Sequence, residues 1–449
     1  MILFFKTVAN TIIAVESKSK LSKADNKKLA WLFDDAEFLT KKNIDAYLVG
    51  PRREMVTPWS TNAVEITRNM GIKDLLRIEE FFIVRDRNAV FDPMLQRLYT
   101  GIGQDVFTIN KRSEPIIGID DIIFYNQQEG LALSQEEIDY LTSVSQKMDR
   151  KLTDSEVFGF SQVNSEHCRH KIFNGTFVID GQEKESTLFN LIRRTSEINP
   201  NGLVSAYKDN VAFKEGPVIE QFAPHSADKP DFFETKNIET VISLKAETHN
   251  FPTTVEPFNG ASTGSGGEIR DRLGGGKASL PIAGTAVYMT SYPRTEDGRI
   301  WEDSMPPRKW LYQTPAQILI KASNGASDFG NKYGQPLICG SLLTFEHEEN
   351  RRKFAYDKVI MLAGGVGYAN KRDALKGKPS GGEKVVVLGG DNYRIGMGGG
   401  AVSSVATGEY GSGIELNAVQ RANPEMQKRV ANVIRALAES DDNPIISIH

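Results

Sequence analysis

TVISLKAETHNFPTT, Thr240 to Thr254, sets a strand against a break. The apolar run Val241 to Leu244 predicts an extended chain, and Pro252 ends it because proline has no N–H for a ladder. On an extended chain Lys245, Glu247 and His249 alternate and so share a face. An ammonium, a carboxylate and an imidazole at a strand end are costly to bury unless they pair or hold a metal or ligand. The competing reading is an exposed edge strand whose charges are solvated.

The flanking sequence keeps this texture. IAGTAVYM (282–289), KVIMLAGGVGYA (358–369) and EKVVVLGG (383–390) read as strands, and NPEMQKRVANVIRALAES (423–440) reads as a helix. Strands alternating with Gly-rich connections and helices predict an α/β or α+β fold. Between them lies NGASTGSGGEIRDRLGGGKAS, Asn259 to Ser279, read as a loop. Its glycines would let backbone N–H groups approach an anion, and Thr263 and Ser265 add hydroxyls. Arg270 can fork onto a phosphate. Glu268 and Asp271 are candidates for Mg²⁺, which favours a few carboxylates plus phosphate oxygens. The stretch is not a P-loop, because Asp271 stands five residues before Gly276 where that motif needs glycine. These residues together suggest an anion and metal site suited to phosphoryl transfer.

Nearer the N-terminus, LFFKTVANTIIAVE and DAYLVGP read as strands, and KADNKKLAWLFDDAEFL as one amphipathic helix with Leu29, Leu32, Phe33 and Phe38 near one face. GPRREMVTPWST is a loop running into a helix, with Thr57 as N-cap and Pro58 at the first helical position. Ser134 and Glu137 form a capping box for SQEEIDYLTSVSQKM. A further helix from about Asp154 is expected to run through SEVFGFSQVNSEHC, with Phe160, Val163 and His167 on one face. The expected division is an N-terminal α+β domain over 1–145, a helical linker over 146–205 and two further domains over 206–370 and 371–449. The end, NPIISIH, follows a strand-like run and reads as a stop inside a domain.

At 449 residues the chain suggests two to four domains. Its 40% apolar and 25% charged residues are globular values. A formal charge of −4 without a basic tract speaks against a nucleic-acid-binding protein. Two cysteines, Cys168 and Cys339, make no disulfide framework and read as reduced thiols of a cytoplasmic protein. The apolar N-terminus lacks a basic region and a cleavage site, and no run reaches the ~18 apolar residues of a membrane helix.

SEHCRHK, Ser165 to Lys171, concentrates two of the six histidines with one of the two cysteines. Zinc would need further Cys or His ligands, and Cys339 has no adjacent histidine. A Cys168–His dyad conflicts with helical geometry, where close neighbours diverge. Structural histidines are the remaining bland reading. A second decoy is VVVLGGDNYRIGMGGGA, where Gly396, Gly398 and Ala401 have GxGxxA spacing. No helix-forming run follows, so it reads as a Gly-rich turn near a phosphate or a domain seam rather than a dinucleotide site.

SEHCRHKIFNG, KAETHNFPTTVEPFNGASTGSGGEIRD and PIAGTAVYMTS closely resemble signature runs of phosphoribosylformylglycinamidine (FGAM) synthase. GPRREMVTPWSTNA resembles the N-terminal domain of its large, single-chain form. The resemblance implies ATP-dependent conversion of formylglycinamide ribonucleotide and glutamine to the formylglycinamidine, with ADP, phosphate and glutamate, in purine biosynthesis. ATP and Mg²⁺ are the implied cofactors, and ammonia would come from a glutaminase domain downstream or in trans. By the same resemblance His167 and His249 are catalytic, and His170 and Lys245 lie near ATP. Glu247 and Asp271 hold magnesium, while Thr248, His249, Asn250, Phe251, Arg270 and Gln420 contact substrate. The stretch Gly260, Ala261, Ser262, Thr263, Gly264, Ser265, Gly266, Gly267, Glu268, Ile269, Arg270 and Asp271 is linked to nucleotide or substrate phosphate. His170 and Phe251 depart from the small forms, which carry tyrosine and histidine there. The chain looks like an N-terminal piece lacking the second synthetase half and the glutaminase triad. The alternatives are a nucleotide-binding, non-catalytic fragment or another ATP-dependent enzyme of the same fold.

Overall fold

A computed structural model describes residues 1–54, 56–91, 96–109, 115–165, 169–295, 299–303, 306, 313–389, 419 and 422–449. The chain divides into two compact units, Met1–Pro115 and Ile116–His449. The sequence placed its first boundary at 145. The structure divides the chain thirty residues earlier, so the helices that follow Pro115 fall in the second unit.

In the first unit, β1 (Ile2–Lys6) and β2 (Thr11–Ser17) form an antiparallel hairpin. Helix α1 (Lys23–Leu32), β3 (Glu37–Leu39), β4 (Ile44–Pro51), α2 (Pro58–Asn69), β5 (Leu75–Val84) and β6 (Gln96–Ile102) follow. The strands make one six-stranded sheet in the order β3-β1-β2-β5-β4-β6. Phe5, Ile13 and Val15 pack with Leu29 and Val64 on one face, and Phe4, Ile12 and Ala14 with Leu48 and Phe81 on the other. Burial on both faces explains why LFF and TIIAV read as continuous apolar runs instead of alternating ones. The single helix expected over Lys23 to Leu39 is a correction. It stops at Leu32, Asp34 and Asp35 turn left-handed at φ 60° and 53°, and Phe38 sits in β3. Aspartate is among the few residues that tolerate that region.

Thr57 caps α2 by accepting from Ser60 N at 3.0 Å, with Pro58 opening the helix, as the sequence suggested. The loop before it is held from beneath. Glu79 accepts from Thr57 N at 3.0 Å and Thr57 Oγ1 at 2.6 Å, and Arg77 donates to Arg53 O at 2.7 Å.

The second unit opens with helices α3 (Ile122–Glu129), α4 (Gln135–Lys147) and α5 (Asp154–Val163). Both Ser134/Glu137 and Thr153/Glu156 are complete capping boxes. After α6 (Lys171–Asn174), a small hairpin of β7 (Val178–Ile179) and β8 (Gln182–Glu183) precedes α7 (Leu188–Ile198). The main sheet uses β9 (Leu203–Ser205), β10 (Ala212–Pro224), β11 (Phe233–Thr248), β12 (Leu280–Thr290), β13 (Leu337–Thr344) and β16 (Ile360–Asn370), in the order β13-β12-β16-β11-β10-β9. A hairpin of β14 (Glu346–Glu349) and β15 (Arg352–Ala355) stands apart. Helices α8 (Asn250–Val255), α9 (Pro257–Leu273), α10 (Ile300–Asp303), α11 (Pro315–Tyr333) and α12 (Pro424–Ala438) complete the unit. Ala261 of α9 and Ala322 and Ala326 of α11 pack on Ala286, Tyr288, Met361 and Ala363 of the sheet. Ile269 and Phe329 then meet Ala431 and Ile434 of α12. The fold is α+β, with helices layered on an antiparallel sheet except for the parallel β12–β13 pair.

Three of the four strand runs form where expected. EKVVVLGG does not: residues 383–389 adopt no strand, and Val385 and Val387 are exposed. Propensity alone makes no strand where no neighbour offers a ladder.

Candidate functional site

Strand β11 is interior, bonded to β10 on one side and β16 on the other. That removes the edge-strand reading of Lys245, Glu247 and His249. Lys245 and Glu247 do share a face, and their side chains touch at 3.0 Å. Asp271, near the end of α9, meets the same ammonium at 2.8 Å. One cation thus bridges two carboxylates drawn from a strand end and a helix end. Side-chain exposures of 14%, 34% and 26% for Lys245, Glu247 and Asp271 leave the carboxylates open to solvent while the ammonium lies beneath them. Burial alone would lower the Lys245 pKa, but its hydrogen bonds to Asp271 and Glu247 and their charges outweigh it and hold it above the ordinary lysine value.

Arg270 is exposed by surface area, yet burial among surrounding atoms lowers its pKa, opposed by the charges of Asp271 and Glu247. The cluster therefore combines two cations, two carboxylates and solvent access.

His249 begins the turn out of β11. Its N–H donates to Met361 O at 3.0 Å, and its carbonyl accepts from Thr253 Oγ1 at 2.5 Å. Asn250 Oδ1 accepts from Met361 N at 3.0 Å and Asn250 O accepts from Thr254 Oγ1, so this side chain staples α8 to β16. Phe251 is 2% exposed and belongs to the core, whereas Thr248 is exposed. Of the expected substrate contacts 248–251, Thr248 is exposed, His249 and Asn250 are partly buried, with His249 Nε2 itself buried, and Phe251 is committed to packing.

The stretch from Asn259 is not a loop. Residues 257–273 are helix α9, opened by buried Glu256, whose Oε2 accepts from Asn259 N at 2.7 Å. Helical N–H groups are spent on the helix itself, so Gly260 to Gly266 cannot cradle an anion. The glycines serve close packing instead. A Cβ on Gly260 would come within 2.4 Å of the Pro252 carbonyl carbon, and one on Gly264 within 2.7 Å of Met361 Sδ. One on Gly266 would meet the Phe329 ring at 2.6 Å. Ala261, Ser262, Thr263, Ser265 and Ile269 are buried in the same interface. Glu268 is not a candidate metal ligand either. It is sealed against Arg272, with Nε to Oε2 at 2.7 Å and Nη2 to Oε1 at 3.0 Å. Arg272 also donates to Val366 O at 2.5 Å and to Gln335 Oε1, and Gln335 Nε2 donates to Glu268 Oε1 at 2.7 Å. Sequence reasoning missed this network. The i, i+4 spacing of Glu268 and Arg272, and of Gly260 and Gly264, was the signal that the run is a helix.

The SEHC helix also ends early. Helix α5 stops at Val163 with Asn164 as cap. His167, Cys168 and Gln420, like the GxGxxA segment from Gly396, lie outside the described residues. His170 is left-handed at φ 49° and stands at the N-cap position of α6, so no continuous helix runs through it. Its ring lies 6.3 Å from Phe189. Lys171 reaches Glu137 of α4 at 2.8 Å, tying this segment to the preceding helices.

Residues 10–99 match the family model described as formylglycinamide ribonucleotide amidotransferase N-terminal. Residues 122–171 match the amidotransferase linker domain, and 381–449 match the C-terminal domain of AIR synthase related protein. Among solved structures, Thermotoga maritima PurL complexed with FGAR is similar at 21% identity and TM-score 0.40, over 67% of this chain and 37% of that one. PurL of the same organism complexed with ATP gives 20% and 0.37, over 67% and 36%. The chain thus spans well under half the length of the PurL chains it matches. An amidotransferase N-terminal domain, its linker domain and a synthetase-related C-terminal domain are thus matched in that order, which supports the resemblance to an N-terminal portion of FGAM synthase.

Proposed function

We propose that this chain carries a nucleotide- and substrate-binding half of an FGAM synthase, which converts formylglycinamide ribonucleotide to the formylglycinamidine using ATP and ammonia released from glutamine. The carrying observation is the convergence of Lys245, Glu247 and Asp271, with Arg270 beside them, the carboxylates partly open to solvent. A cationic pair suits the phosphates of ATP and of the ribonucleotide. Two carboxylate oxygens facing one point suit Mg²⁺, a hard cation that keeps waters and phosphate oxygens for its other positions. Bound there, Mg²⁺ would neutralise phosphate charge.

Within this reading Lys245 and Arg270 position phosphates, and Glu247 and Asp271 hold the metal. His249 polarises the substrate amide or moves its proton, and His167, His170, Thr248 and Gln420 complete the substrate and nucleotide contacts. Ammonia would arrive from a glutaminase domain in the same protein or in trans, and the cytoplasm is the expected compartment. Among the described residues no helix is long and apolar enough to cross a membrane. The test is an assay of the full-length gene product for amidine formation from the ribonucleotide, ATP and ammonium chloride. His249→Ala is expected to lower kcat/KM by at least about 100-fold. A value within a few-fold of the parent would overturn the assigned role.

A further inference from the structure

The ammonium of Lys245 occupies the place from which both candidate metal-binding carboxylates can be reached. Mg²⁺ takes oxygen ligands at about 2.0–2.1 Å, so a cation on either of those oxygens would stand within about 5 Å of Lys245 Nζ. The two cations would repel one another strongly in so sheltered a place, with Arg270 adding a third positive charge nearby. Lysine differs from arginine in being a point charge on a flexible four-carbon stem, able to leave one anion for another.

We propose that Lys245 is a displaceable internal cation: it holds Glu247 and Asp271 together until a divalent metal replaces it, and its released ammonium then pairs with the incoming phosphate. This inference rests on the proposed metal role of Glu247 and Asp271. It makes the site poor at taking bare metal and good at taking metal together with a polyphosphate, because only the polyphosphate gives the displaced ammonium a new partner. Without Lys245 the two carboxylates would face each other uncompensated and bind a bare divalent cation more tightly.

The experiment titrates Mn²⁺, as a paramagnetic probe, into the full chain and its Lys245→Met and Lys245→Met/Asp271→Asn variants. Circular dichroism confirms folding. Lys245→Met is expected to bind bare Mn²⁺ at least 10-fold more tightly than the parent, and Asp271→Asn to abolish that gain. Equal affinities for parent and Lys245→Met, with binding still lost on Asp271→Asn, would overturn the displacement while leaving the metal site standing. Binding indifferent to Asp271→Asn, or absent throughout, would overturn both. On the unaltered chain, the rate of Lys245 acetylation followed by mass spectrometry is expected to change several-fold when Mn²⁺ and inorganic tripolyphosphate are present together, and not with Mn²⁺ alone. An unchanged rate would also overturn the displacement.

Discussion

Two charge clusters sit one turn apart at the end of α9 and have opposite characters. Glu268 and Arg272 are sealed, at 1% and 0% side-chain exposure, with the guanidinium bonded to a carboxylate, a carbonyl and an amide. Lys245, Glu247 and Asp271 are open, with one cation shared between two anions. A fully satisfied, water-free pair has nothing left to offer a ligand. An unbalanced, wetted one does. Burial and satisfaction therefore separate structure from function where residue type does not. Arg272→Met should break the sealed cluster most severely, because it strands Glu268 as a buried charge. The expected loss is about 3–5 kcal/mol in urea denaturation. Adding Glu268→Gln should recover much of it, and a double variant no better than the single would show that the stranded charge is not the cause.

The glycines of α9 divide in the same way. Gly260 presses on the α8 backbone, whereas the nearest atom to a Cβ on Gly267 is Arg270 Nη2 at 3.6 Å. Gly260→Ala should cost about 1–3 kcal/mol through overpacking, and Gly267→Ala should stabilise by about 0.5–1 kcal/mol because alanine restricts the unfolded chain. Thermal melts that rank the two in the opposite order would refute the packing argument.

This helix also marks how far the sequence could be read. Strands β11, β12 and β16 and the caps at Thr57 and Ser134 were legible, because periodicity and local hydrogen-bonding residues encode them directly. So was the shared face of Lys245 and Glu247. Helix α9 was not, because glycine has poor helix propensity, and only the approach of α8, α11 and β16 makes glycine necessary there. The meeting of Asp271 with Lys245 is likewise a tertiary fact. EKVVVLGG failed in the other direction, having strand propensity without a partner strand among the described residues.

The open cluster should respond to substitution in binding rather than in stability. Asp271→Asn removes a partly exposed anion from an ammonium that keeps Glu247 as its partner, so the expected stability change is below about 1 kcal/mol. Mg²⁺–ATP affinity measured by calorimetry should fall by about 10-fold or more, equivalent to about 1.4 kcal/mol. A large stability loss with unchanged affinity would move Asp271 into the same class as Glu268.

The smallest expected effect lies at a third cluster, on the surface. His225 Nδ1 meets Asp441 at 2.5 Å and its Nε2 meets Glu234 at 3.0 Å, while Lys236 joins Asp441. The hydrogen bond to Asp441 and the charge of Glu234 raise the His225 pKa above 6.5, against the opposing charge of Lys236. The stability this histidine adds is therefore complete below pH 6.5 and disappears as pH rises through its folded value. Asp441 works the other way: Lys236 and His225 hold its pKa below 3.8, so its contribution is present above that pH and is lost on acidification. The cluster should fasten the segment after α12 to the β10–β11 hairpin most firmly between those limits. His225→Ala should lower the melting temperature at pH 5.5 more than at pH 8.5, because only the protonated ring carries the charge that Glu234 and Asp441 attract. A difference between parent and variant that stays constant with pH would mean that the ring contributes by packing alone.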